Sequence, residues 1–357
     1  MGMATTLDDI HPDIIQTHIL PRLDGPSLST TATASSYLNT LCSDDTLWSK
    51  ISQTTWPSIT HPRVDDVIST FPAGHRSFFD DSFPTLITHV NPRNPRRSWA
   101  TSKNICSTCH LDRPSHTFPA ELISAVDIRY QNDIVFSKVK FTQITDNFIS
   151  SAFAIETTNN ADPICTSGTI DLTVDEIAGA DQETLSHLKE CLTLNWILIE
   201  PTRKRACNLS SVKPYSARQD WVTNETVIRY VTVLPGCSGD EIVQCKIQVV
   251  LGVGEKGVGL YVKEVVMKLQ DLDSVRLNGG EFLGIVEGVI MGGKNVRRKV
   301  VEGEERWKSY MEFKEVKRQK KEWERKKETK RELVIYFNYV LIFVSFFFCV
   351  YFFYLLL

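Results

Sequence analysis

The chain has 357 residues, 42% hydrophobic and 23% charged, with a net charge of −3. This length exceeds one small module, and the ordinary composition excludes a wholly disordered, collagen-like or polytopic membrane chain. The near-neutral balance argues against a general nucleic-acid binder, whose affinity needs a strong positive field.

The first residues, Met1 to Thr6 followed by Asp8 and Asp9, lack the basic start and apolar core of a secretory signal. The nine cysteines are therefore read as reduced, intracellular and mostly buried. The sequons at Asn208 and Asn224 then count as accidental, and Gly2 with Thr6 fits the short N-myristoylation pattern. From Leu7 to Trp56, helix signals alternate with apolar spacing. Pro12 suits a first helical turn, and Ile15, Ile19 and Leu23 recur every four residues, widened by Ile14 and Leu20. Pro21 should break that helix. A second helix is expected through Leu28, Ala32, Leu38 and Leu41, and a third through Leu47, Trp48 and Ile51. Three such short helices enclose little apolar surface by themselves and should bury it against a partner.

Residues 57–119 hold eight of the fifteen prolines, which forbids long helices and central strands. Phe71, Phe78, Phe79 and Phe83 point to an irregular layer packed on its neighbours. Residues 120–293 turn to short β-rich runs. Strands are expected at Ala125–Tyr130, Ile134–Phe141, Phe148–Ile155, Ile170–Val174, Leu194–Glu200, Thr226–Leu234 and Ile242–Leu251, with one helix at Glu183–Leu192. Nothing repeats at a fixed period, so a sandwich- or barrel-like β domain is expected.

Residues 294–332 read as a solvated helix with a partial apolar side at Trp307, Tyr310, Met311 and Phe313. Between Lys314 and Arg331, ten cations face four glutamates. Residues 333–357 carry no charge, and a bilayer core of about 30 Å needs roughly 20 apolar residues in a helix. The basic flank should remain cytosolic, giving a tail-anchored chain on an endomembrane such as the ER, its bulk in the cytosol. If the apolar run reflects a misassigned gene end, the same chain would be cytoplasmic or nuclear. The fold class is thus α+β: helices at 5–56, a connector at 57–119, a β-rich domain at 120–293, a charged helix at 294–332 and a span at 333–357.

Chemical motifs are thin. Cys106-Ser107-Thr108-Cys109-His110 spells a haem-attachment string, and Cys106 and Cys109 with His110 or His116 could meet one zinc, but no second ligand pair lies near. A plain loop is the expectation. Gly252-Val253-Gly254-Glu255-Lys256-Gly257 matches a dinucleotide pattern whose following helix would be Tyr261–Leu272. The preceding segment lacks βαβ rhythm, so a glycine-rich hairpin turn is expected. The pairs Asp44-Asp45 and Asp80-Asp81 should cap helices or face water. No catalytic constellation emerges, so neither cofactor nor metal is assigned.

The string Leu7-Asp8-Asp9-Ile10-His11-Pro12-Asp13-Ile14-Ile15, then Ile19-Leu20-Pro21-Arg22-Leu23, Leu28, Leu38, Leu41 and Asp44-Asp45-Thr46-Leu47-Trp48, resembles an F-box. The resemblance implies docking on a Skp1-like adaptor, and through it on a cullin and RING ligase core. Pro12, Ile14, Ile15, Leu20, Leu23, Leu28 and Trp48 are the positions implied for that contact. Ser35, Ser36 and Leu38 stand where many members have Cys, a basic residue and Trp, a departure that removes one anchor. Trp56-Pro57, Val67 to Pro72, Gly74 to Phe79, Glu121 to Asp127, Asn208 to Ser211 and Leu277 to Gly280 resemble plant F-box proteins with a β-rich C-terminal part. That group implies a non-catalytic substrate receptor of an SCF-type ubiquitin ligase, its target protein unnamed. The alternatives are a membrane-tethered scaffold without ligase assembly and an F-box-linked carbohydrate- or ligand-binding β domain.

Overall fold

The computed structural model describes residues 10–83, 85–88, 118–158, 166–170, 182–220, 222–223, 225–237, 241–254, 259–292, 296–299 and 303–356. Helix α1, Pro12–Ile14, runs on through a π turn at Ile15–Ile19 into a 3-10 turn at Leu20–Arg22. Pro21 brings no N–H, and the chain leaves the helix at Leu23, extended at φ −81° and ψ 145°. Helix α2, Gly25–Ala34, starts where the Asp24 carboxylate accepts from the Ser27 N–H at 2.9 Å. The single helix expected through Leu28 and Leu41 is two. Ser35 is extended, and its hydroxyl accepts from the Leu38 N–H at 3.1 Å to open α3, Ser36–Leu41.

Helix α4, Asp45–Thr55, is followed by a 3-10 turn at Pro57–Thr60, then α5, Pro62–Ser69, and α6, Gly74–Ser82. The proline-rich stretch is therefore more regular than expected here. Pro57 and Pro62 occupy first turns, where a missing N–H costs nothing.

Two five-stranded antiparallel sheets follow. The first is ordered β5-β3-β2-β6-β7, from β2 (Glu121–Tyr130), β3 (Asp133–Gln143), β5 (Thr166–Ser167), β6 (Leu192–Glu200) and β7 (Arg205–Asn208). The second is ordered β4-β11-β10-β9-β8, from β4 (Ile155–Thr158), β8 (Ser216–Gln219), β9 (Thr226–Pro235), β10 (Ile242–Val253) and β11 (Leu260–Gln270). A separate ribbon pairs β1, Thr85–Thr88, with β12, Val296–Lys299. Gln131 and Asn132 both have positive φ, the two-residue turn that suits the β2–β3 hairpin.

Five of the seven expected strands fall inside observed ones. Phe148–Ile155 does not: Asp146–Ser150 is a short helix, α7, capped by Thr145, whose hydroxyl accepts from the Phe148 N–H at 3.2 Å. Local capping outweighs β propensity there, and the strand starts only at Ile155. Ile170 bridges to Leu260, while 171–174 lie outside the described residues. Helix α8, Gln182–Cys191, stands where one was expected. Tyr261–Leu272 is not a helix; most of it is β11, antiparallel to β10 with Val253 opposite Leu260, as a hairpin requires.

Helix α9, Gly279–Ile290, is nearly wholly buried and begins in a capping box between Asn278 and Glu281. A Cβ on Gly279 would lie 2.1 Å from the Phe148 carbonyl oxygen, so only glycine fits beside α7. The two sheets and α9 share one core, built from residues such as Val126, Trp196, Tyr230, Ile247, Met267 and Phe282. The other face of the first sheet, through Ile123, Ala125, Ile197, Ile199 and Ala206, packs on the N-terminal helices. Helix α10, Gly303–Leu356, covers part of the second sheet's outer face, where Tyr310, Phe313 and Val316 meet Val231, Val233, Ile242 and Leu272. Tyr310 and Phe313 thus belong to the partial apolar side expected there, while Trp307 and Met311 are 47% and 45% exposed and the later turns stand free.

Candidate interaction surface on the N-terminal helices

The helical layer has an interior of its own. Trp48 is fully buried, its ring 5.3 Å from that of Phe79, and its indole N–H donates to the Cys42 carbonyl at 2.7 Å. Trp56 lies 5.4 Å from Phe79 and 5.7 Å from Phe78. Gly25 lets α2 pass this cluster, since a Cβ there would sit 2.0 Å from Phe79 Cζ. His75 clamps three helices: its Nδ1 faces Asp45 of α4 and its Nε2 faces Asp65 of α5, both at 3.0 Å.

Polar ties fix this layer to the first sheet. Asp127 of β2 accepts from the Ser58 N–H at 3.0 Å, the Ser58 hydroxyl at 2.5 Å and the Ser137 hydroxyl at 2.7 Å. Arg129 donates to the Thr54 carbonyl at 2.7 Å and the Thr55 carbonyl at 3.2 Å, capping the end of α4. Arg205 of β7 grips Asp81 of α6 with two bonds of 2.7 and 2.9 Å. Asp81 is therefore a buried ion-pair partner, not the cap or solvated acid expected of it. Asp44 does cap α4, accepting from the Thr46 N–H at 3.0 Å.

Asp127 is titratable within reach of ordinary buffers. Full burial pushes its carboxyl from 3.8 up to about 6, against the opposing pull of the Ser58 and Ser137 hydrogen bonds and of Arg129. Between those values the folded chain keeps a proton that the unfolded chain has lost. Its contribution to stability is whole below the lower value and falls as pH rises through the upper one. The difference is about 3 kcal/mol. Asp127→Asn keeps an acceptor for Ser58 and removes the titration. Relative to the parent chain, urea midpoints should show the variant gaining stability from pH 4 to pH 7. Parallel pH curves would contradict this assignment.

The seven positions implied for adaptor contact divide. Ile15, Leu20, Leu28 and Trp48 are at most 1% exposed, sealed within the chain's own helical core, so they present no surface. Pro12 and Ile14 are exposed, Ile14 by 48%, and Leu23 is half-buried. Ile19, 38% exposed, and Pro21 join them on the same helical segment. Sequence spacing placed Ile19 in the apolar stripe without marking it as outward-facing. What remains exposed along residues 12–23 is a mixed surface, in which Pro12, Ile14, Ile19 and Pro21 stand among Asp13, Thr17, His18 and Arg22 over a packed core.

Elsewhere the chemistry is sparse. Cys106, Cys109, His110, His116, Gly2 and Asn224 lie outside the described residues. Among the described residues, no group of three His, Cys, Asp or Glu side chains is placed to hold a metal ion. Asn208 is buried and bonds Trp196, Ser210 and Asn195, so its sequon is structural. The cleft between Phe118, Leu122, Leu283 and Val286 encloses only about 10 Å³, roughly one water.

No family model and no solved structure matches the chain. F-box protein At2g27310 of Arabidopsis thaliana is 34% identical over 336 residues, covering 92% of this chain and 90% of that protein. F-box protein At3g44326 of the same plant is 35% identical over 340 residues, covering 93% and 86%. Probable F-box protein At2g36090, also from Arabidopsis, is 34% identical over 317 residues, covering 87% and 85%. With such identity across both the helical and the β-rich parts, the chain belongs to the plant F-box protein family.

Proposed function

We propose that this chain is the substrate-receiving subunit of an SCF-type ubiquitin ligase. In this reading residues 5–56 bind a Skp1-like adaptor, and residues 120–293 hold a target protein, with the connector 57–119 between them. Pro12, Ile14 and Leu23, joined by Ile19 and Pro21, form the adaptor contact; Ile15, Leu20, Leu28 and Trp48 support it from within. The observation that carries the reading is the exposure of Ile14 and Ile19 on a helical layer whose other large apolar side chains are buried or half-buried, in a chain whose relatives are F-box proteins. The receptor performs no chemistry. It raises the effective concentration of a target lysine near the charged E2 held by the partner core.

The ties through Asp127, Arg129 and Arg205 bear on this mechanism. A helical layer bonded to the sheet presents the target at a fixed angle to the ligase core, so less orientational freedom is lost at each transfer. The apolar end of α10 anchors the assembly in a membrane, with the helices and sheets on the cytosolic side.

The test is co-purification of the Skp1–cullin core with the full chain, and with Ile14→Arg plus Ile19→Arg. Both positions are exposed, so the double variant should fold, keep its melting temperature and lose the core. Retention of the core by that variant would remove Ile14 and Ile19 as the contact. Leu20→Arg is the wrong probe, because it buries a charge and unfolds the layer.

A further inference from the structure

The last turns of α10 before the apolar run carry Arg325, Lys326, Lys327, Lys330 and Arg331, all exposed. The acids upstream are already engaged. Arg318 bonds Glu315 at 2.7 Å and Glu322 at 2.9 Å, and Glu324 lies 4.0 Å from Lys320. None of the five cations forms an ion pair among the described residues; Lys327 lies over the Trp323 ring at 5.1 Å. Against Glu328 and Glu332, the five leave residues 325–332 with a net three positive charges.

Their arrangement identifies the partner. At about 3.6 residues per turn the five cations spread around most of the helix circumference. A docking protein needs charges on one face, whereas a plane of headgroups pierced by the helix meets it from every side. Height agrees as well. Arg331 and Lys330 lie within about 5 Å of Leu333 along the axis, and Arg325 about 12 Å away. The headgroup layer is roughly 5–8 Å deep, and screening extends about 8 Å further. The upstream turns are fixed to the second sheet by Tyr310, Phe313, Val316 and the 2.6 Å Lys320–Asp273 ion pair, so the collar's distance from the globular part is set.

We propose that this collar binds the anionic phospholipid headgroups of the leaflet that α10 enters, a surface resting on the membrane reading above. The full chain is synthesised with phosphatidylcholine vesicles, or with vesicles containing about 30% phosphatidylserine, at low salt. The parent should partition at least about tenfold better into the anionic vesicles. A variant with all five cations changed to Gln should lose that preference while staying carbonate-resistant in both. Equal partition of the carbonate-resistant parent between the two compositions overturns the collar and leaves the anchor intact. A preference that survives the five substitutions overturns it too. Extraction of the parent by carbonate from both compositions defeats the anchor and the collar with it, since the five cations then meet no leaflet that α10 enters.

Discussion

Trp48→Ala should destabilise the folded chain by about 3–5 kcal/mol, lowering its melting temperature by roughly 10 °C. The indole is fully buried, touches Phe79 and donates to the Cys42 carbonyl. Removing it leaves a cavity between α3, α4 and α6 and an acceptor without its donor. The layer cannot collapse to fill that cavity, because Asp127, Arg129 and Arg205 hold it to the first sheet. Ile14→Ala, by contrast, should change stability by less than about 0.5 kcal/mol, since that side chain is half exposed. Thermal unfolding of the two variants in detergent separates the positions. Equal losses would mean that Trp48 is not the layer's anchor.

Deleting residues 333–357 should move the chain from a carbonate-resistant membrane pellet to the soluble fraction. Among the described residues one helix, Trp307–Leu355, is long and apolar enough to cross a bilayer, and its most apolar stretch has a mean hydropathy of 2.4 with none of it buried. Phe343, Phe347, Phe352 and Leu355 are all more than half exposed, an apolar surface of the kind that marks a membrane or protein contact. Each apolar residue near the centre of a span favours insertion by about 0.3–0.6 kcal/mol, several kcal/mol over the whole run. The truncated chain keeps the packed turns around Phe313 and should retain its melting temperature. Carbonate-resistant association of the truncated chain would transfer anchoring to another segment.

Much of the architecture is readable in the sequence because its signals are local. The runs through Val126, Ile197, Ile228 and Ile247 are long, β-branched and bounded by turns, and each is a strand. Helix α9 escapes notice for the opposite reason. Phe282, Leu283, Ile285, Val286, Val289 and Ile290 are buried around most of the helix, so no amphipathic period betrays it. Its one cue is the Asn278–Glu281 capping box. The β1–β12 ribbon joins Thr85 to Lys299, and pairing across that separation leaves no mark in either segment.

The candidate surface was half legible, for a physical reason. Apolar spacing shows that Ile15, Leu20 and Trp48 must be covered, but not by which protein. Here the cover is internal: the helical core itself, backed by Ile123, Ala125, Ile197 and Ile199 on the outer face of the first sheet. That sheet is buried on both faces, which polar alternation along β2 and β6 would have excluded. Asp127 is the one ionisable residue among the buried positions of β2, next to the polar Ser124, and its three hydrogen bonds explain it. The apolar residues left outside are Pro12, Ile14, Ile19 and Pro21, set among exposed polar ones.

A calorimetric titration of the full chain in detergent with a purified Skp1-like adaptor decides whether the N-terminal helices dock on such a partner. Saturable one-to-one binding is expected, weakened at least about tenfold by Ile14→Arg with Ile19→Arg, since docking can bury only the 48% and 38% of these side chains still exposed, about 0.6–1.4 kcal/mol each. Absence of binding by the parent chain, or equal affinity for parent and double variant, would contradict it.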